Sequence, residues 1–142
     1  MYYSGLGVPQ DYTQAVAWYR KAAEQGYAGA QFNLGAMYAK GGGVPQDYVQ
    51  GVAWWRKAAD QGHADAQHNL GLAYENGDGV SQDYVESLKW RSLAASRASA
   101  EKQKRYVEVL DAMAQLMTPT QIEAAQKLAR EWMAAFQKRD WK

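Results

Sequence analysis

Apolar and small residues return along this chain at the spacing of one helical face. Between positions 28 and 40, Ala30, Leu34 and Tyr38 fall at i, i+4 and i+8, with Gly35 beside them. This predicts a helix over 28–40 and, 36 residues later, another over 64–76. A second stripe of Tyr12, Ala15, Val16, Tyr19, Ala22 and Ala23, widened by Trp18, predicts a helix over 11–25. Its copies follow over 47–61 and 83–97. The two helix types alternate, and residues 5–40 match residues 41–76 at 24 of 36 positions. A period of this length means a stacked array of helix pairs.

The polar punctuation agrees with the apolar pattern. A Gly-x-Gly-Val-x-Gln-Asp stretch separates the two helices of each unit, at Gly41, Gly43 and Asp47, then at Gly77, Gly79 and Asp83. Asp11, Asp47 and Asp83 stand where an N-cap or first-turn acid belongs. Pro9 and Pro45 are expected just outside the helices, blocking backward extension. Gly26 and Gly62 are expected to end the second helix of a unit. Gly35 and Gly71, with Ala22, Ala23, Ala58 and Ala59, let helix axes approach, and Trp18, Trp54 and Trp90, recurring at the repeat period, are expected to fill the core between them. Trp55 and Trp141 are less constrained and are expected to be exposed. A single helix pair cannot bury its own apolar face, so neighbours must stack.

Composition changes the picture mainly by exclusion. The 142 residues carry 16 basic and 15 acidic side chains, a net charge of +1. That balance gives no case for nucleic acid as a partner. No apolar run is long enough for membrane insertion. With no cysteine, disulfides and thiolate metal sites are out of the question, and the compartment stays open between bacterial cytoplasm and periplasm.

The motif density over 1–95 resembles the Sel1-like repeat, a relative of the tetratricopeptide repeat. Ala30, Leu34, Gly35, Tyr38, Gly41, Gly43, Val44 and Asp47 follow the family pattern, as do Trp54, Arg56, Lys57, Ala58, Ala59 and Gly62. Gln50-Gly51 departs from its Lys-Ala pair, and Trp55 stands at its usual Tyr. The resemblance implies an all-α, right-handed superhelix (solenoid) of a soluble bacterial protein. It also implies use as a protein-interaction adaptor.

The ends depart from the repeat. Residues 1–98 read as repeats with a partial copy at 1–4, and 99–142 as a diverged helix plus a capping helix. The truncated first copy leaves either a fragment or an open apolar edge, through which a homodimer is a candidate assembly. The stripe of the 99–117 helix is Val107, Leu110, Met113 or Ala114, and Met117. Thr118, Pro119 and Gln121 form a capping-box start for the last helix, whose apolar face carries Ile122, Ala125, Leu128 or Ala129, Trp132 and Phe136.

By analogy with tetratricopeptide repeats, the helices carrying Leu-Gly-x-x-Tyr line the concave face. Candidate contacts for a peptide or protein there are Phe32, Asn33, Asp65, His68, Asn69, Leu72 and Glu75, with Lys104 and Arg105 on the diverged helix. Asn33 and Asn69 offer amides suited either to an extended peptide backbone or to a local turn. Phe32 and Leu72 are apolar at positions expected to face solvent. Lys104 and Arg105 fit a carboxylate or simply a solvated charged face. His68 with Asp65 is too few ligands for a metal. No nucleophile elbow, phosphate loop or dinucleotide fingerprint is present, so no enzyme and no cofactor are expected. The function expected is a scaffold binding an unidentified partner segment, with self-assembly through the first copy or the last helix as the alternative.

Overall fold

The computed structural model describes the backbone of residues 9–140 and the side chains of 11–139; the expected partial copy at 1–4 and Trp141 lie outside these. Seven helices follow one another among the described residues: α1 (Pro9–Glu24), α2 (Ala28–Lys40), α3 (Tyr48–Asp60), α4 (Ala64–Asn76), α5 (Tyr84–Arg97), α6 (Ala100–Ala114) and α7 (Pro119–Asp140). The fold is the all-α repeat solenoid the periodicity implies. The helix ends are set by the residues expected to set them. Asp47 and Asp83 accept from the backbone N–H of Gln50 and Glu86 at 3.1 Å. Gly41 and Gly77 close α2 and α4 in the left-handed conformation. Thr118 and Gln121 form the capping box reciprocally. Pro9 corrects one expectation. It opens α1 instead of standing outside it, where its missing N–H leaves nothing unpaired.

Two recurrent hydrogen bonds join the helices. Gln31, Gln67 and Gln103 donate their amides to the carbonyls of Ala23, Ala59 and Ala95, at 3.2, 3.1 and 3.1 Å. Each carbonyl lies in the last turn of the preceding helix, where it lacks an intrahelical partner. Gln46 and Gln82 do the same for Ala39 and Glu75, both at 2.8 Å. Gln103 lies on α6, so the repeat continues one helix further than the drift after Ala100 suggests.

The core is built around close approach at glycine. A Cβ on Gly35 would lie 2.6 Å from the Trp55 ring and 2.9 Å from the Gly51 carbonyl; one on Gly71 would lie 2.6 Å from Arg91 Cγ. Trp55 is therefore buried, at 8% exposure, and its indole N–H donates to the Phe32 carbonyl at 3.2 Å. The expectation that it is exposed is corrected: Tyr19, Trp55 and Arg91 recur 36 residues apart, and Trp55 and Arg91 lie against Gly35 and Gly71 of the helix just before them. The column of Trp18, Trp54 and Trp90 grades instead from 63% exposed to half-buried to 2% exposed. Lys21 and Lys57 lie over the Trp18 and Trp54 rings. Trp90 alone is covered by a further helix, with Trp132 of α7 edge-on to it at 5.9 Å. Trp18 is thus a surface residue, and no described element packs over α1 as α7 packs over α5.

On α6 the apolar stripe follows the expected Leu110, Met113 and Met117 and differs at its first position. Tyr106 and Met113 are buried, whereas Val107 is 43% exposed. The α7 stripe is as expected, with Ala125 in one cluster with Leu88, Met113 and Met117, and Ala129 and Trp132 packed on the main core. Phe136 stacks on Trp132 and lies between the guanidinium groups of Arg97 and Arg139.

Two glycines of α2 predict opposite outcomes. Gly35→Ala forces its Cβ into the Trp55 ring and loses about 1–3 kcal/mol. Gly29→Ala meets open space and gains about 0.4–1 kcal/mol. Urea unfolding of the two variants beside the parent checks both signs.

Candidate functional site

The residues singled out from the sequence sit on α2, α4 and α6, and they divide into two groups. Asp65, His68 and Glu75 are spent inside the molecule. The Asp65 carboxylate accepts from Lys102 Nζ, 3.1 Å to each oxygen, and from the Tyr106 hydroxyl at 3.1 Å. His68 stacks on Tyr106 with ring centroids 4.4 Å apart and planes nearly parallel. These contacts bind α4 to α6. Burial opposes ionisation of Asp65, but the hydrogen bonds from Lys102 and Tyr106 and the Lys102 charge hold its carboxyl below the usual range. Burial, then the hydrogen bond to Asp65, push the Tyr106 phenol up to about 12. Burial and the nearby Arg91 charge push His68 down.

Glu75 takes a short hydrogen-bonded ion pair from Arg91, which is 4% exposed. Arg91 lies on Gly71, and its Nη1 also approaches Met113 Sδ at 3.1 Å. The pair ties α4, α5 and α6 together at the place where Trp55 serves the preceding unit.

The second group lines open space. Asn69 and Leu72 border a cleft of about 290 Å³ with Tyr48, Trp55, Ala73, Asn76 and Asp78. Leu72 is 41% exposed and Tyr48 42%. Trp55 uses its N–H on Phe32, so it offers the cleft only apolar ring. Asn33 is half-buried on α2 and does not line this cleft. Phe32 is half-buried too, stacked on His63 at 5.0 Å and packed against the main core. Lys104 and Arg105 are exposed on α6, away from the cleft.

Tyr48, Trp55, Ala73, Asn76 and Asp78 are the lining residues that the sequence did not single out. The available signal was departure from the repeat. Asp78 stands in the Gly-x-Gly turn where the preceding copy has Gly42; Asn76 replaces Lys40, and Leu72 replaces Ala36. Among the described residues no group of three or more His, Cys, Asp or Glu could hold a metal ion, and no helix is long and apolar enough to cross a membrane.

His63 supplies a pH dependence. Its Nδ1 accepts from the Ala66 N–H at 3.1 Å and caps α4. Burial holds its pKa below the usual value, against the pull of Asp65. Both histidines therefore bind a proton less readily folded than unfolded, so their contribution is present above about pH 6.5 and is lost as pH falls below it. The melting temperature should drop between pH 7.5 and pH 5. His63→Ser keeps a cap acceptor without the titration and should flatten that drop, at a cost of no more than about 1 kcal/mol at neutral pH.

The comparisons with known proteins bear on this array. The Sel1 repeat model matches residues 1–27, 28–63 and 64–99, which places α2 with α3 and α4 with α5 as units. No curated protein matches the chain significantly. Among solved structures, the chain is similar to c5321, a protective antigen of uropathogenic Escherichia coli strains displaying an SLR fold. There it has 34% identity and a TM-score of 0.86 over 98% of this chain and 29% of that one. It is also similar to a Sel1 repeat protein from Oxalobacter formigenes, with 42% identity and a TM-score of 0.69 over 77% of this chain and 42% of that one. The chain thus spans less than half the length of either. The matched repeats and the helix pairs they delimit make this chain a member of the Sel1 repeat family.

Proposed function

We propose that the chain is a protein-interaction scaffold that takes a segment of a partner on the face that carries α4 and its cleft with α3. Sel1 repeat proteins are generally such scaffolds, and the family is typically non-enzymatic. The observation that carries the reading for this face is the cleft at Asn69 and Leu72. It has an apolar floor and amide groups at its edge, on helices locked by the glutamine bonds and the Asp65 and Glu75 pairs. An extended segment needs this combination: side-chain pockets for anchoring and rigid amides for its backbone. The charged residues expected to contact the partner contribute differently. Asp65, His68 and Glu75 hold the helices in register, and Asn69 and Leu72 are left for the ligand.

A second reading is self-assembly at the α1 end, favoured by Trp18 and Tyr27, each 63% exposed. The α7 stripe is a poorer surface for it, because Trp132 and Phe136 are already engaged with α5 residues.

The test is capture of partners from bacterial lysate by the parent, by Asn69→Ala/Leu72→Asp, and by Leu116→Ser on the exposed α6–α7 turn, each checked for helicity. The cleft variant should lose at least about tenfold in captured partner, as expected for removal of a central anchor, and the turn variant should not. Retention by the cleft variant with loss by the turn variant would move the site elsewhere. Light scattering of Trp18→Ser against the parent decides the self-assembly reading: a parent that is monomeric at every concentration removes it.

A further inference from the structure

Resting on the reading that a partner segment docks on this face, we propose that the α3–α4 cleft receives an arginine side chain of that segment. Three features of the lining select it. Asp78 is the only ionised side chain in the lining, and its carboxylate pairs with no described residue. No basic residue lines the cleft, so nothing in its lining neutralises that charge. The cleft also sits at the C-terminal end of α4, where Asn76 is the last helical residue; a helix C-terminus favours positive charge.

The walls choose among cations. Tyr48, Trp55 and Leu72 give apolar and aromatic surface, which suits a long alkyl stem and a flat, weakly hydrated head. A guanidinium can stack on a ring while its edge donates two N–H groups to one carboxylate. The side-chain carbonyls of Asn69 and Asn76 supply further acceptors for its remaining donors. The cleft volume of about 290 Å³ admits such a side chain with room for water. The chain already uses the same chemistry internally: Arg20 and Arg56 lie over the rings of Tyr38 and Tyr74, and Arg91 pairs with Glu75. An anionic side chain would meet Asp78 with no counter-charge, and a purely apolar one would desolvate that carboxylate without replacing its water.

The test is an NMR titration of the ¹⁵N-labelled chain with capped pentapeptides Gly-Gly-X-Gly-Gly at millimolar concentration, X being arginine, lysine, citrulline or norleucine. The arginine peptide should shift the amide signals of Tyr48, Leu72, Asn76 and Asp78 and the Trp55 indole signal. Lysine should bind more weakly, and citrulline and norleucine not measurably. Asp78→Asn, on a half-exposed residue and with its spectrum otherwise superimposable, should weaken the arginine peptide about tenfold, the loss of one charge-assisted pair. Three results overturn the assignment: citrulline or norleucine bound as well as arginine, lysine bound as tightly, or no shift at the cleft with any peptide. If the titration fails while the Asn69→Ala/Leu72→Asp variant still loses its partner, the docking face stands and the arginine falls. If that variant keeps its partner, the docking reading falls independently of the peptides.

Discussion

Close approach at Gly35 and Gly71 is the constraint from which the rest of this array follows. With no Cβ at these positions, the helix of the same unit can press a large side chain onto backbone, and the main core cluster forms around that contact. What is pressed there sets each unit's character. Trp55 brings bulk and an indole N–H for the Phe32 carbonyl. Arg91 brings a charge, which then needs Glu75 and draws in Met113 from α6. The substitution of arginine for an aromatic at one repeat position thus reorganises three helices. Burying a charge is costly unless it is paired, and Glu75, itself partly exposed, supplies that pairing for Arg91.

Much of the fold could be read from the chain. The α2 and α4 spans, the Asp47 and Asp83 caps, the Gly41 and Gly77 helix ends and the Thr118 capping box all follow from local rules, and local rules were enough. The errors came from a different level. Whether Trp18 or Trp55 is buried depends on which neighbour lies across from it, and both are large aromatics on the same helical type. Three tryptophans at one period look equivalent in sequence, yet α7 covers only the last of them. Periodicity fixes what a residue's own unit does and is silent on what packs over it. The exchange of Val107 for Tyr106 at the start of the α6 stripe has the same origin. Tyr106 is drawn inward by Asp65 and His68 of the neighbouring helix, which no pattern within α6 encodes.

The candidate site was legible only in part, for a related reason. The expected contacts included Asn33 and Asn69, where the copies agree, and Phe32, Asp65, His68, Leu72 and Glu75, where they differ. The cleft is bordered mostly by residues at which the copies disagree: Leu72, Asn76, Asp78 and Trp55. Positions that recur are used to hold units together, as Gln31, Gln67 and Gln103 show. Positions that vary between copies are free to be individual. Mismatched positions serve both uses here: Leu72, Asn76 and Asp78 border the cleft, while Asp65, His68 and Arg91 join helices.

The return of α7 along α5 has a consequence for how the molecule assembles. Within the array, the side-chain hydrogen bonds of the described residues join positions no more than 41 apart, the widest being Tyr106 to Asp65. Arg139 to the Asp60 carbonyl spans 79. Neighbouring helices can therefore zip together through short loops at modest entropic cost, while seating the C-terminal half of α7 closes by far the longest loop. Trp90 meets Trp132 of α7 edge-on, so that part of its cover is gained only when this long loop closes.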